Sequence, residues 1–184
     1  MRTIKLKGQR ITLIPETPKN AQVIIPWLKD KTVMRFVDHE GFNYSLKDEL
    51  FDLAFIKKYQ WDELHYLILD EHYQPIGAVG LEMNSFHKSG EIWIVLGEKS
   101  AWGKGYGQEC IQVLGDYFFK KIKYNRLELA VSAEFAKGII AYKKAGFKVE
   151  GVLRKAEWDR FGRKFRDQVV MSILKDEWLK KQKN

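Results

Sequence analysis

The spacing of apolar residues along the chain switches repeatedly between a strand period and a helix period. Ile11, Leu13 and Ile14 recur within residues 10–16 in a pattern that predicts a first strand. Thr17-Pro18 then reads as a cap with proline in the first helical turn. Ala21, Ile24, Ile25 and Leu28 follow at helical spacing to about Asp30. Ser45-Leu46-Lys47-Asp48 has the form of a capping box, and Leu50, Phe51, Ala54 and Phe55 carry a second helical stripe to about Tyr59. The period next shortens to two. Residues 64–69, 76–83 and 91–96 predict three strands with short connections, an antiparallel meander. Helical spacing returns at Ile111, Leu114, Phe118 and Ile122. A strand over 126–131 and a helix over 133–145 follow. Gly146 supplies a left-handed stop for that helix, with Phe147 placed to pack back on it. Residues 147–153 and 168–174 predict the last two strands, with a hairpin turn at Arg160-Phe161-Gly162-Arg163. The order βααβββαβαββ implies one α/β (α+β) domain over residues 1–184: a single mixed, mostly antiparallel sheet flanked by helices.

The densest chemical signal is Trp102-Gly103-Lys104-Gly105-Tyr106-Gly107, between a predicted strand and the helix that begins with Gln108-Glu109-Cys110. A strand, a glycine loop and a helix N-terminus together present free N–H groups and the positive end of a dipole, a cradle for phosphate. Lys104 is followed by Gly105 rather than Ser or Thr, so the loop is not a P-loop. Its Gly-x-Gly-x-Gly spacing, past mid-chain, also excludes a dinucleotide fingerprint.

Composition narrows the classes. The 184 residues are 45% apolar, enough for one folded domain with a real core. No apolar run approaches the ~20 residues of a membrane helix, and the N-terminus has no signal-peptide core, so a cytoplasmic protein is expected. The lone Cys110 excludes an intrachain disulfide and reads as core filler. His39, His65, His72 and His87 show no metal-ligand spacing, so no metal is expected, and His65 reads as structural. The net charge is +8, and the excess lies from Lys137 onward, where 14 Lys and Arg face 6 Asp and Glu. A basic face of this kind serves a nucleic acid, a polyanionic cofactor or plain solvation with a fraying Lys-rich tail.

With these motifs in place, residues 10–178 resemble the GNAT superfamily of acetyl-CoA-dependent N-acetyltransferases. Gly105 and Gly107 match the family's pyrophosphate loop, with Trp102 at its Gln/Arg position. Ala141-Tyr142-Lys143-Lys144-Ala145-Gly146-Phe147 is similar to its Leu-Tyr-Glu-Lys-x-Gly-Phe motif. Glu150-Gly151-Val152-Leu153-Arg154 and a late Asp167 extend the match. The Trp-Gly-Lys-Gly-Tyr loop resembles the branch that includes ribosomal-protein N-terminal and spermidine acetyltransferases. Two positions depart from the pattern: Phe135 where the family often has Asn, and Gly138 where Ala or Ser is usual.

The resemblance implies acetyl-CoA as co-substrate and direct attack by a primary amine in a ternary complex. It assigns Trp102, Gly103, Lys104, Gly105, Tyr106, Gly107 and Gln108 to the cofactor's phosphates. Backbone N–H groups near Val95 and Leu96 would serve the pantetheine arm and the thioester oxygen. Lys137 and Lys144 either assist the nucleotide's phosphates or are plain surface. Tyr142 is the candidate general acid, against a core tyrosine; Glu91 is the candidate base, against a solvated strand-end charge. Asp38, Glu40 and Glu49 lie where the family covers its acceptor, and either attract a cationic amine or are solvated acids. The expected acceptor is a protein N-terminus, a polyamine or another small amine. The competing reading is a catalytically weak CoA-binding regulatory or nucleic-acid-binding module, with Arg160, Arg163, Lys164 and Arg166 as its contacts. No membrane partner is expected, and a homodimer is left open.

Overall fold

The computed structural model describes residues 4–37, 44–59 and 62–181. Eight strands form one sheet: β1 Leu6–Lys7, β2 Thr12–Pro15, β3 Glu63–Leu69, β4 Pro75–Asn84, β5 Ser89–Leu96, β6 Arg126–Ser132, β7 Lys148–Asp159 and β8 Lys164–Leu174. Their order is β1-β2-β3-β4-β5-β6-β8-β7, and only β5 and β6 run parallel. The helices are α1 Ile25–Leu28, α2 Leu46–Tyr59, α3 Tyr106–Asp116, α4 Ala136–Ala145 and α5 Lys175–Lys181. The meander, the tip of the last hairpin and the Gly146 stop agree with the sequence pattern. Gly146 sits at φ 104°, and the Phe147 N–H donates to the Tyr142 carbonyl at 3.0 Å. Among the described residues no helix is long and apolar enough to cross a membrane.

Alternation along the strands gives the sheet two unlike faces. One carries Leu64, Tyr66, Ile68, Val79, Leu81 and Ile92 beneath α3 and α5, in a core that includes Cys110, Phe118, Phe119 and Trp178. The buried Cys110 is core filler, and burial pushes its thiol up. The other face holds a smaller cluster: Leu67 and Ala78 under Ile24, Trp27, Leu28, Val33 and Met34.

Three local expectations are corrected. The predicted helix to Asp30 breaks into a 3-10 turn at Ala21–Val23 and the single turn α1. Thr17 closes a turn with Asn20 instead of capping a helix, and Pro26 has no N–H to continue the ladder through. The apolar stripe of α2 is only partly turned inward: Leu50 and Phe55 are half-buried, Phe51 is 66% exposed and Ala54 is exposed, and among the described side chains of α2 only Glu49 is fully buried. Periodicity marks a stripe but not the surface it meets, and here that surface carries Glu16 and His65. Finally, Lys180 and Lys181 belong to α5, anchored by Trp178, whose indole donates to Asp116 Oδ1 at 2.8 Å.

Candidate active site

The glycine loop closes against the end of β5. Trp102, 42% exposed, donates its indole N–H to the Leu96 carbonyl at 2.8 Å. Gly103 and Gly105 adopt φ 76° and 86°, a region costly for residues with a Cβ. Gly105 is the N-cap of α3, and no side chain caps that helix. The first-turn N–H groups and the dipole's positive end are thus offered to an anion.

An acid in this turn, Glu109, would oppose an anion, but it is turned away. Its carboxylate accepts from the Arg10 and Ile11 backbone N–H groups and pairs with Arg10 Nε at 3.0 Å. Arg10 also donates to the Lys104 carbonyl at 2.9 Å and lies over the Tyr106 ring. Tyr106 donates to Glu71 Oε2 at 2.7 Å. Lys104 and Gln108 are exposed beside the loop. Arg10 and Glu71 escaped sequence reasoning because they come from distant segments; the nearest signal was a single arginine at the start of the predicted first strand.

A groove leads away from the loop. β5 and β6 pair only at Ser89↔Arg126, Gly90↔Leu127 and Glu91↔Glu128. Beyond this point the strands splay, although β5 continues to Leu96 and β6 to Ser132. Val95 and Leu96, both half-buried, lie on the splayed stretch near the loop, and Glu91 lies at its apex. An extended molecule with its anionic end at the loop would bring its other end to Glu91.

Glu91 stands in a row of directly opposed carboxylates: Glu63↔Glu82, Glu82↔Glu91 and Glu91↔Glu128. With Asp62 they line a cleft of about 520 Å³. Arg126 pairs with Glu128 at 2.7 Å, and His65 Nε2 lies 3.1 Å from Glu63. Asp62, Glu82 and Glu91 have no cationic partner among the described residues. Burial and then neighbouring acids push the Glu82 and Glu91 carboxyls up, and Glu91 also accepts from the Ala130 N–H. Like charges opposed across strands destabilise a sheet, so this row answers to something other than folding.

Tyr142 is half-buried on α4, its ring 6.0 Å from that of Phe147 and close to Cys110. Burial pushes its hydroxyl up to about 12, and it makes no hydrogen bond among the described residues. It packs with the large helical core, whereas Glu91 shares a strand face with Trp93 and Val95 of the smaller cluster. Lys137 and Lys144 are exposed; the Lys144 carbonyl accepts from Lys181 Nζ at 2.5 Å. Asp38 and Glu40 lie outside the described residues. Glu49 is buried beside Glu16 and His65 rather than solvated.

Phe135 and Gly138 turn out to be one feature. A Cβ at position 138 would lie 2.4 Å from the Phe135 ring, so the large residue requires the missing one. Phe135 in turn stacks on Phe36 at 4.9 Å. The basic C-terminal third is partly turned inward. Arg166 is buried, paired with Asp159 and with Glu157 at 3.4 Å, and Lys164 pairs with Glu134 at 2.6 Å. Among the described residues, Arg160 and Arg163 alone of the four candidate nucleic-acid contacts stay exposed without a salt bridge, too few for a binding face.

The model of the acetyltransferase (GNAT) domain matches residues 10–148, most of the chain. The chain belongs to the GNAT acetyltransferase family. This GNAT enzyme is 26% identical to the uncharacterized N-acetyltransferase p20 of Bacillus licheniformis over 176 residues, 94% of this chain and 97% of that protein. It is 30% identical to the spermidine N(1)-acetyltransferase of Escherichia coli K12 over 111 residues, 60% of this chain and 58% of that protein. Its fold matches the crystal structure of spermidine N-acetyltransferase from Vibrio cholerae in complex with CoA and spermine. That match has a TM-score of 0.84 at 24% identity and covers 94% of this chain and 99% of that one. GNAT N-acetyltransferases take their acetyl group from acetyl-CoA, so acetyl transfer to an amine is the activity of this family member.

Proposed function

We propose that this enzyme acetylates a small cationic amine of the polyamine class, bound along the carboxylate row Glu63, Glu82, Glu91 and Glu128. The observation that carries this reading is the row itself: opposed acids, part of them without counterions, ending at the apex of the splay. Adjacent strands stand about 4.8 Å apart, a spacing on the scale of the gaps between charges in a linear polyamine. Spermidine acetyltransferases among the relatives lend weight to the same acceptor.

The chain's own groups suit the donor. The free first turn of α3, Lys104 and the exposed Gln108 would hold acetyl-CoA's phosphates, with Trp102, Gly103, Gly105, Tyr106 and Gly107 shaping the loop and Arg10 bracing it. Lys137 and Lys144 would reach the nucleotide end. Backbone N–H groups of the splayed β5 near Val95 and Leu96 would receive the pantetheine arm. Glu91 takes the amine's proton directly or through one water, and its raised carboxyl brings it closer to the amine it must deprotonate. Tyr142, fully protonated at neutral pH, donates its O–H proton to the departing thiolate.

Release of the CoA thiol, measured across spermidine, simple diamines, an aminoglycoside and short peptides, tests the proposal. Turnover with spermidine or a diamine well above peptides is expected. Acetylation of peptides alone would refute it and favour a protein N-terminus as acceptor.

A further inference from the structure

Glu16, Glu49 and His65 come from three separate elements. Glu16 follows β2, and its N–H donates to the His65 carbonyl at 2.9 Å, so the two backbones are pinned together. Glu49 lies in the first turn of α2, and His65 lies on β3. One potential ligand atom from each lies within 4.8 Å of the other two. Glu16 is 9% exposed and Glu49 is 5% exposed. The two carboxylates converge without a lysine or arginine partner among the described residues. Glu49 accepts from the Tyr44 hydroxyl, but Glu16 Oε1 is buried with no hydrogen-bond partner among the described residues.

This arrangement is difficult to explain by packing. A helix normally docks through an apolar stripe. Here α2 turns a carboxylate inward and leaves Phe51 in solvent. Two buried carboxylates side by side repel unless a proton or a cation lies between them.

We propose that Glu16, Glu49 and His65 bind a divalent transition-metal ion of the zinc or manganese kind, which ties α2 to the sheet. Two carboxylates and one imidazole make a mixed oxygen and nitrogen donor set, which suits these ions better than calcium or magnesium. Ligand bonds of about 2.0–2.2 Å place ligand atoms roughly 3–4 Å apart, so side-chain rotation closes the site. The charge of the ion cancels that of the two carboxylates. The imidazole is also prepared for the role. Its Nε2 lies 3.1 Å from Glu63 Oε2, a hydrogen bond that fixes Nε2 as donor and leaves the Nδ1 lone pair free. Metal-binding histidines are commonly oriented by such a carboxylate. Trp93 meets the ring edge-on at 5.2 Å and holds its plane. The ligands are 33 and 16 residues apart in the chain, which is why no sequence spacing announces them. The proposal does not rest on the polyamine reading: the three ligands take no part in acetyl transfer, and only Glu63, which orients the imidazole, also belongs to the carboxylate row.

The test uses the full chain stripped by a chelator and titrated with Co²⁺. One equivalent should bind, develop visible ligand-field absorption and be displaced by Zn²⁺. Glu16→Gln, Glu49→Gln and His65→Gln should each weaken binding at least ~10-fold, and Glu63→Gln about 10-fold through the imidazole. Glu82→Gln, on the cleft, should leave it unchanged. Zn²⁺ should raise the melting temperature of the wild-type chain and not that of the three ligand variants. Circular dichroism of the metal-free variants checks folding, and removal of one of two repelling charges should leave the two glutamate variants at least as stable as the stripped wild type. A chain that binds no Co²⁺, or binds it equally in all three ligand variants, overturns the site.

Discussion

On the face under α3 and α5, Phe118, Phe119, Cys110 and Trp178 fill a continuous apolar core, with the glycine loop and Tyr142 at its rim. On the opposite face, Leu67, Ala78 and Trp27 form a small cluster, and the remaining area is lined by Glu16, Glu49, His65, Glu63, Glu82 and Glu91. The first face is built for stability and carries the glycine loop at its edge. The second gives up apolar burial for a field of negative charge. A protein whose net charge is +8 thus sets a row of acids on the face opposite its main core.

The largest expected effect lies on the apolar face. Trp178→Ala removes a fully buried side chain and should cost about 3–5 kcal/mol in urea unfolding. Deletion of Glu82's charge by Gln should cost nothing or stabilise the chain. If both changes destabilise equally, the faces are not different in kind. The next effect is chemical. Tyr142→Phe should lower kcat roughly 10²-fold or more, with acetyl-CoA affinity little changed, because only one hydroxyl is lost. Near-normal turnover would return Tyr142 to the core it packs against. Gly105→Val, at φ 86°, should abolish most acetyl-CoA binding in calorimetry while spermidine binding persists.

Smaller effects follow pH. The folded chain holds protons on Glu82 and Glu91 at pH values where the unfolded chain has released them. Stability should therefore fall as pH rises from the ordinary carboxylate range through the raised values, and the Gln variants should flatten this decline. If Glu91 is the base, the acid limb of kcat/KM should lie above the ordinary carboxylate range. Glu128→Gln should move it down, since one repelling acid is gone and Arg126 is released from it.

The fold was largely legible because it rests on periodicity. Alternation in 64–69 and 76–83, and the Gly146 stop, report local backbone preference that the packing does not override. The exceptions are places where a partner decides. Pro26 broke a helix whose apolar spacing was otherwise regular. The stripe of α2 was visible, but its burial depends on a facing surface that turned out to be polar. The candidate site divides in the same way. The glycine loop is contiguous and could be read directly. The bracing by Arg10 and the carboxylate row could not, since they depend on strand register. Glu82, Glu91 and Glu128 each look like one ordinary strand charge until pairing sets them in line. Phe135 and Gly138 looked like two unrelated departures and are one packing solution.

The central claim is that the donor and the amine are held by opposite kinds of surface meeting at Glu91. Steady-state kinetics of the Glu63→Gln/Glu82→Gln double variant, with spermidine and acetyl-CoA varied in turn at two salt concentrations, test it most directly. The account predicts that KM for spermidine rises at least ~10-fold and loses much of its salt dependence, while KM for acetyl-CoA stays within about 2-fold. An unchanged spermidine KM, or a rise confined to acetyl-CoA, would contradict it.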